Sequence, residues 1–378
     1  MGRSVLGPAD VSDGELAAMV ADSLRVPEVE VLDCHAEVAE YDIEALTTAA
    51  RYRVRGTARH TAGTSPFAFY VKVVQSWTRS PAFQQVPEPL RQVAAASLPW
   101  QNEPQVYRSD LGDRLPAGLS LPRVHAVRDL DELSVAVWLQ LVDVDPAPWP
   151  AARFDRAAYL LGRLAASPQV APLRALGTRD VVRGYAQGRV EHQVLPTLRS
   201  AELWRHPLVA ESFPAPLRHR LLAAGDALPE LLAELDGAPL GTAHGDACPR
   251  NLLVARGAPD AFVLIDFGFW NESPLGFDLS QLLLGEMQVG ERPAAEVAAL
   301  DGRCLEAYVR GLRDEGCDAT LEAVRRAHAL LMLLFWGLSS VPLELAFGLP
   351  GPGSEAVVRE RAQAATFVLD LVDATRPV

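Results

Sequence analysis

Three oxygen-bearing side chains, Asp246, Asn251 and Asp266, stand where a short length of chain can gather them. Residues 244–251 read HGDACPRN, a turn-rich loop. Two short apolar runs follow, residues 252–254 and 262–265, separated by a Gly/Pro/Asp turn at 257–260. That pattern predicts a β-hairpin. In an antiparallel hairpin the start of one strand lies beside the end of the other, so Asn251 and Asp266 are expected as neighbours. With Asp246 on the same loop they form a hard, oxygen-rich site that suits magnesium. Asp246 is placed to take a hydroxyl proton while Asn251 and Asp266 hold the metal on a nucleoside triphosphate, the parts that phosphoryl transfer needs.

A loop of the form HxDxxxxN, a strand pair and then Asp266-Phe267-Gly268 is also the order of the protein-kinase catalytic loop and its DFG segment. The opening His244-Gly245-Asp246, with glycine where protein kinases carry arginine, resembles the aminoglycoside phosphotransferase and choline kinase branch of the kinase-like fold. The resemblance spans roughly residues 28 to 378, with its specific motifs at a handful of positions. It implies an α+β, bilobal, protein-kinase-like fold: a small antiparallel β N-lobe and a larger, mainly helical C-lobe. It also implies a kinase that uses ATP (or GTP) and Mg2+ and transfers the γ-phosphate to a hydroxyl of a small molecule. No APE-like element follows Asp266, and residues 271–277 are too short for a peptide-binding activation loop, so a protein substrate fits less well.

Those site residues must be positioned by a nucleotide-holding lobe, and one residue marks it. Lys72 is the only lysine among 35 basic residues. A compact ammonium on a flexible stem is not reproduced by a guanidinium fork, so a lysine in an otherwise all-arginine chain points to chemistry at that position. Three strand-like runs, at 28–38, 49–58 and 67–74, predict an antiparallel meander, with Lys72 sharing a face of the third strand with Tyr70 and Val74. By resemblance Lys72 binds the α- and β-phosphates, and Glu103 is the carboxylate that orients it, with Glu88 in reserve. Pro104 places Glu103 at a helix start. The loop between the first two strands, residues 41–50, contains no glycine, where the family has a Gly-rich phosphate cover. The hydroxyls of Thr47 and Thr48 are candidates to replace it; as β-formers they equally suit the start of the second strand.

Two further strands are expected at 121–127 and 134–142. The second runs into a hinge, where Gln140, Leu141 and Val142 are the candidates to hold the base through backbone groups. The expected organisation is an N-terminal helical extension (1–27, with a helix at 12–24), a nucleotide-binding N-lobe (28–142), a hinge (143–150) and a helical C-lobe (151–378). Helices are predicted at 154–167, 190–203, 216–235, 294–315, 321–338 and 354–375, with the hairpin supplying the only strands of that lobe. Asp278, in a Gly-x-Asp-Leu element, is expected to brace the catalytic loop, His244 to organise its backbone, and Cys248 to pack.

Composition sets the outer limits. At 378 residues the chain suits two lobes sharing a cleft. A net charge of −13 argues against binding a phosphate backbone, so nucleic acid is not an expected partner. Four scattered cysteines form neither a CxxC pair nor a disulfide framework. The longest apolar run, 329–338, cannot span a bilayer. The expectation is a cytoplasmic monomer or homodimer with no membrane contact. Its partner is a hydroxylated small molecule, either an aminoglycoside or other natural product (with antibiotic inactivation and biosynthesis both open) or an amino alcohol or sugar of metabolism. A cationic acceptor would meet acidic residues such as Glu272, Glu286 and Glu344. The rival class is a nucleotide-binding pseudokinase acting by interaction, suggested by the glycine-free loop but opposed by the intact set of Lys72, Asp246, Asn251 and Asp266.

Overall fold

The computed structural model describes residues 2–40, 45–86, 88, 91–288, 290–343 and 355–376. The first part of the expected phosphate-covering loop, residues 41–44, lies outside them, as does Glu344.

Ser12 caps the first helix, Asp13–Leu24. Its hydroxyl accepts from the Glu15 N–H and the Glu15 carboxylate accepts from the Ser12 N–H, which satisfies two otherwise orphaned donors. The apolar side of this helix, Leu16, Met19 and Val20, packs on the outer face of an antiparallel five-stranded sheet. In spatial order the sheet is β1 (Glu30–Val38), β2 (Thr48–His60), β3 (Gly63–Gln75), β6 (Ser134–Gln140) and β5 (Val124–Asp131); β4 (Leu119–Ser120) pairs elsewhere. Strand alternation sorts the faces. On β3, Phe67, Phe69, Val71 and Val73 join the outer core with Trp138 of β6. Lys72 and Val74 turn the other way, and Val74 joins the main core that continues into the helices. The Trp138 indole is fully buried, with its N–H donating to the Ala9 carbonyl at 3.0 Å, so both its apolar body and its polar tip are satisfied.

Beyond β6 the chain crosses to the helical part while remaining tied to the hairpin. The Asp145 N–H donates to the Val254 carbonyl and the Arg256 N–H to the Asp143 carbonyl, both at 2.8 Å. Helix Ala151–Ala166 then packs along helix Ala294–Asp314. A Cβ on Gly162 would lie 2.1 Å from the Tyr308 carbonyl oxygen, and one on Gly311 would lie 2.1 Å from that of Tyr159. The two helices approach closely because both positions are glycine.

The helical part holds more strand than periodicity predicts. β7 (Leu240–Ala243) pairs antiparallel with β10 (Asn271–Pro274). The hairpin itself, β8 (Leu252–Leu253) and β9 (Phe262–Leu264), gains β4 as a parallel third strand. Strands of two to four residues are too short to show an alternation. The expected helix at 216–235 is two, Ala215–Asp226 and Leu228–Asp236, separated just before Pro229, which has no N–H to continue a ladder. The expected helix at 190–203 is also broken, at Ser200, which caps a new start at Ala201. Its start falls in a π-helical segment, Ala186–Val194, which begins before the expected bounds; Leu333–Gly337, at the end of helix Leu321–Met332, is π-helical too.

Candidate active site

The loop between β7 and β8 is fixed from below by one carboxylate. Asp278, near the start of helix Phe277–Gln288, accepts the N–H of His244 at 2.8 Å and that of Gly245 at 2.9 Å. Gly245 has φ +88°, and a Cβ there would fall 1.8 Å from the Phe269 carbonyl oxygen. Glycine at this point is therefore required twice over, by conformation and by space. His244 is wholly buried. Its Nε2 donates to the Ile265 carbonyl at 3.0 Å, and its Nδ1 accepts the Asp246 N–H at 3.3 Å. The N–H donated to Nδ1 requires that nitrogen to be unprotonated, and burial lowers the ring's pKa to about 4. An uncharged ring that ties loop to hairpin is an organiser rather than a base.

Asn251 and Asp266 are neighbours because β8 and β9 pair as a hairpin: Leu252 faces Leu264, and the Ile265 N–H donates to the Asn251 carbonyl at 3.1 Å. The Asn251 amide nitrogen donates to the Asp246 carbonyl at 2.9 Å and to its carboxylate at 2.8 Å. Asp246, Asn251 and Asp266 thus form one cluster. Asp266 adopts a left-handed backbone (φ 64°), the kind of departure that a functional turn sustains. Its carboxylate comes within 3.1 Å of the Lys72 ammonium, which also donates to Glu103 at 2.7 Å. Lys72 and Glu103 are both buried, so each charge depends on the other. Burial works against the ammonium, but the carboxylates of Asp266 and Glu103 outweigh it and hold its pKa above the usual value. Burial also works against charge on Asp266, and the Lys72 ammonium overcomes it, leaving that pKa below the usual value. Burial, reinforced by the charge of Asp266, pushes the Asp246 carboxyl up to about 7. Burial pushes the Cys248 thiol up to about 12, which disfavours the thiolate.

Glu103 is the second residue of helix Asn102–Arg108, with Pro104 in the first turn, where a missing N–H costs nothing. Its neighbour Asn102 was not singled out in the sequence, yet it joins the lobes. The buried Asn102 amide donates to Thr178 Oγ1 at 3.0 Å, the Gly268 carbonyl at 3.2 Å and the Trp270 carbonyl at 3.3 Å. Arg51 was missed as well. It lies directly opposite Lys72 across the β2–β3 pair. Strand alternation could have picked it out once that register was known.

Thr47 and Thr48 are not part of this cluster. Thr48 opens β2 opposite Val74, and the Thr47 carbonyl accepts the Gln75 N–H at 2.9 Å, so both secure the sheet's end. Of the hinge candidates, Gln140 is engaged in the sheet: its N–H donates to the Arg123 carbonyl at 2.8 Å and its side-chain oxygen accepts the Arg123 N–H. The Leu141 N–H faces the Ala68 carbonyl at 3.5 Å. Among the described residues the Val142 backbone groups have no such partner.

Residues 81–315 match the model of APH, the phosphotransferase enzyme family. In structure the chain is similar to an aminoglycoside phosphotransferase from Alicyclobacillus acidocaldarius, with 14% identity over 89% of this chain and 91% of that one and a TM-score of 0.54. It is also similar to an ethanolamine kinase from Plasmodium vivax, with 11% identity over 90% and 83% and a TM-score of 0.47. A third similarity is to an amicoumacin kinase solved with AMP-PNP, Ca2+ and Ami, with 16% identity over 89% and 88% and a TM-score of 0.43. No curated protein matches the chain by sequence.

Proposed function

The chain belongs to the phosphotransferase enzyme family, and we propose that it is an ATP-dependent kinase of a hydroxyl-bearing small molecule. The observation that carries the reading is the single cluster of Asp246, Asn251, Asp266, Lys72 and Glu103. Lys72, held by Glu103, takes the α- and β-phosphates of the nucleotide, and the Val142 backbone is the hinge position best placed for the base. Magnesium suits the donors: the Asn251 amide nitrogen is committed to Asp246, which leaves its oxygen as the ligand beside the Asp266 carboxylate. When bound, the ion neutralises charge on the phosphate oxygens.

The acceptor oxygen bonds to the γ-phosphorus as the bond to the β–γ bridging oxygen breaks, and ADP leaves with that electron pair. Asp246 orients the hydroxyl and receives its proton; a carboxyl pushed up to about 7 suits a base at neutral pH. Most of the acceleration comes from positioning and charge complementarity. The proposal includes a cytoplasmic setting and a natural-product acceptor; a role in antibiotic resistance rests on family membership alone. Among the described residues no helix is long and apolar enough to cross a membrane. The reading is tested by Mg-ATP binding: thermal stabilisation by Mg-ATP is expected in the parent protein and reduced in Asp266→Ala, whereas no stabilisation of the parent would overturn it.

A further inference from the structure

Helix Phe277–Gln288 presents Asp278, Gln281 and Gly285 on one face, at positions i, i+3 and i+7. Asp278 holds the start of the catalytic loop, and Gly285 lies against Cys248 so closely that a Cβ would come within 2.8 Å of that side chain. Gln281, between these two contacts on the same helix face, lines a cavity of about 320 Å³. That size is enough for a small ligand.

The walls of the cavity come from the two π-helical segments. Arg189 stands in Ala186–Val194 with Tyr185 just before it, and Phe335 and Trp336 stand in Leu333–Gly337. π-Helical turns are rare and concentrate at functional sites, and here both border one cavity. The Tyr185 and Phe335 rings stack with centroids 4.3 Å apart, and the Tyr185 hydroxyl donates to the Phe335 carbonyl at 3.4 Å, giving a fixed flat wall. Two guanidinium groups, Arg189 and Arg361, complete the lining. Arg189 has no ion pair among the described residues. Of the acidic residues singled out for a cationic acceptor, the two that are described pair with arginines: Glu272 with Arg174 at 3.0 Å and Glu286 with Arg292 at 3.1 Å.

We propose that this cavity is the acceptor pocket and that it selects a hydroxylated molecule carrying an anionic group beside a flat apolar part, not a polycation. The assignment rests on the phosphotransfer reading above. An arginine fork such as that of Arg189 recognises carboxylate or phosphate in a paired geometry, and the Tyr185–Phe335 wall takes the apolar part.

The test labels the protein with 5-fluorotryptophan, assigns Trp336 through Trp336→Phe, and follows that resonance by 19F NMR. The probes are phenyllactate, phenylalaninol and kanamycin, each to about 10 mM, where a fragment of millimolar affinity saturates. Phenyllactate is expected to shift the Trp336 signal, and the two amines are not. Arg189→Ala, at an exposed position, is expected to weaken phenyllactate at least about fivefold, roughly 1 kcal/mol. Equal or stronger response to the amines, or no response to phenyllactate, overturns the assignment. Thermal stabilisation by Mg-ATP, read in parallel, judges the phosphotransfer reading separately, because none of the probes supplies a phosphate.

Discussion

The Lys72 ammonium sits 3.1 Å from an Asp266 carboxylate oxygen while it donates to Glu103 at 2.7 Å. One buried cation thus joins a sheet strand, a small-lobe helix and the end of the hairpin. Lys72→Arg keeps the charge but exchanges a slender stem for a planar fork in a space closed on two sides. Transfer is expected to fall about 100-fold, equivalent to about 2.7 kcal/mol of transition-state stabilisation. Steady-state kinetics with Mg-ATP checks it; a loss under about threefold would mean the position needs charge alone.

Asn102 serves the same junction from the other side, with its amide donating to Thr178, Gly268 and Trp270. Asn102→Asp turns a donor facing three oxygens into a carboxylate that can only accept. It is expected to destabilise by about 3 kcal/mol, in the range for a buried polar group left unpaired. Asn102→Ala should cost about 1–2 kcal/mol on the same reasoning. Urea unfolding measures both, and Asn102→Asp should prove the worse. The order reversed would show that the amide hydrogen bonds are not what holds the segment.

His244 gives a prediction in pH. Its folded pKa of about 4 lies below the unfolded value near 6.5, so the unfolded chain binds the proton first. The stability it contributes is complete above pH 6.5 and is lost as pH falls from 6.5 toward 4, by about 3 kcal/mol in all. The ring should show a neutral Nε2–H signature by 15N NMR at pH 5.5. A ring titrating near 6.5 would contradict the two hydrogen bonds that fix its tautomer.

What was legible in the sequence follows the range of each signal. The catalytic loop, the hairpin and Asp266 lie within 23 residues, so turn chemistry and strand pairing were enough to bring them together. Lys72 was legible because strand alternation and a lone lysine agreed. Asn102 was not: its partners lie 76 to 168 residues away, and a helix-start asparagine carries no local mark. β7 and β10 are four residues each, too short for periodicity to register. The π-helical turns overlap the expected helices 190–203 and 321–338, and a helical hydrophobic pattern does not distinguish an added residue. An acceptor pocket assembled from them, and from Gln281 between, had no linear signature.

The central claim is that Asp246 receives the acceptor proton in phosphoryl transfer, and a coupled ADP-release assay with Mg-ATP tests it most directly. The acceptors would be hydroxy acids, nucleoside antibiotics, amino alcohols, sugars and aminoglycosides, with the parent protein beside Asp246→Ala. The expected result is turnover on at least one compound, reduced about 1,000-fold or more in Asp246→Ala while stabilisation by Mg-ATP persists. Near-normal turnover in Asp246→Ala would contradict the assignment of the catalytic loop.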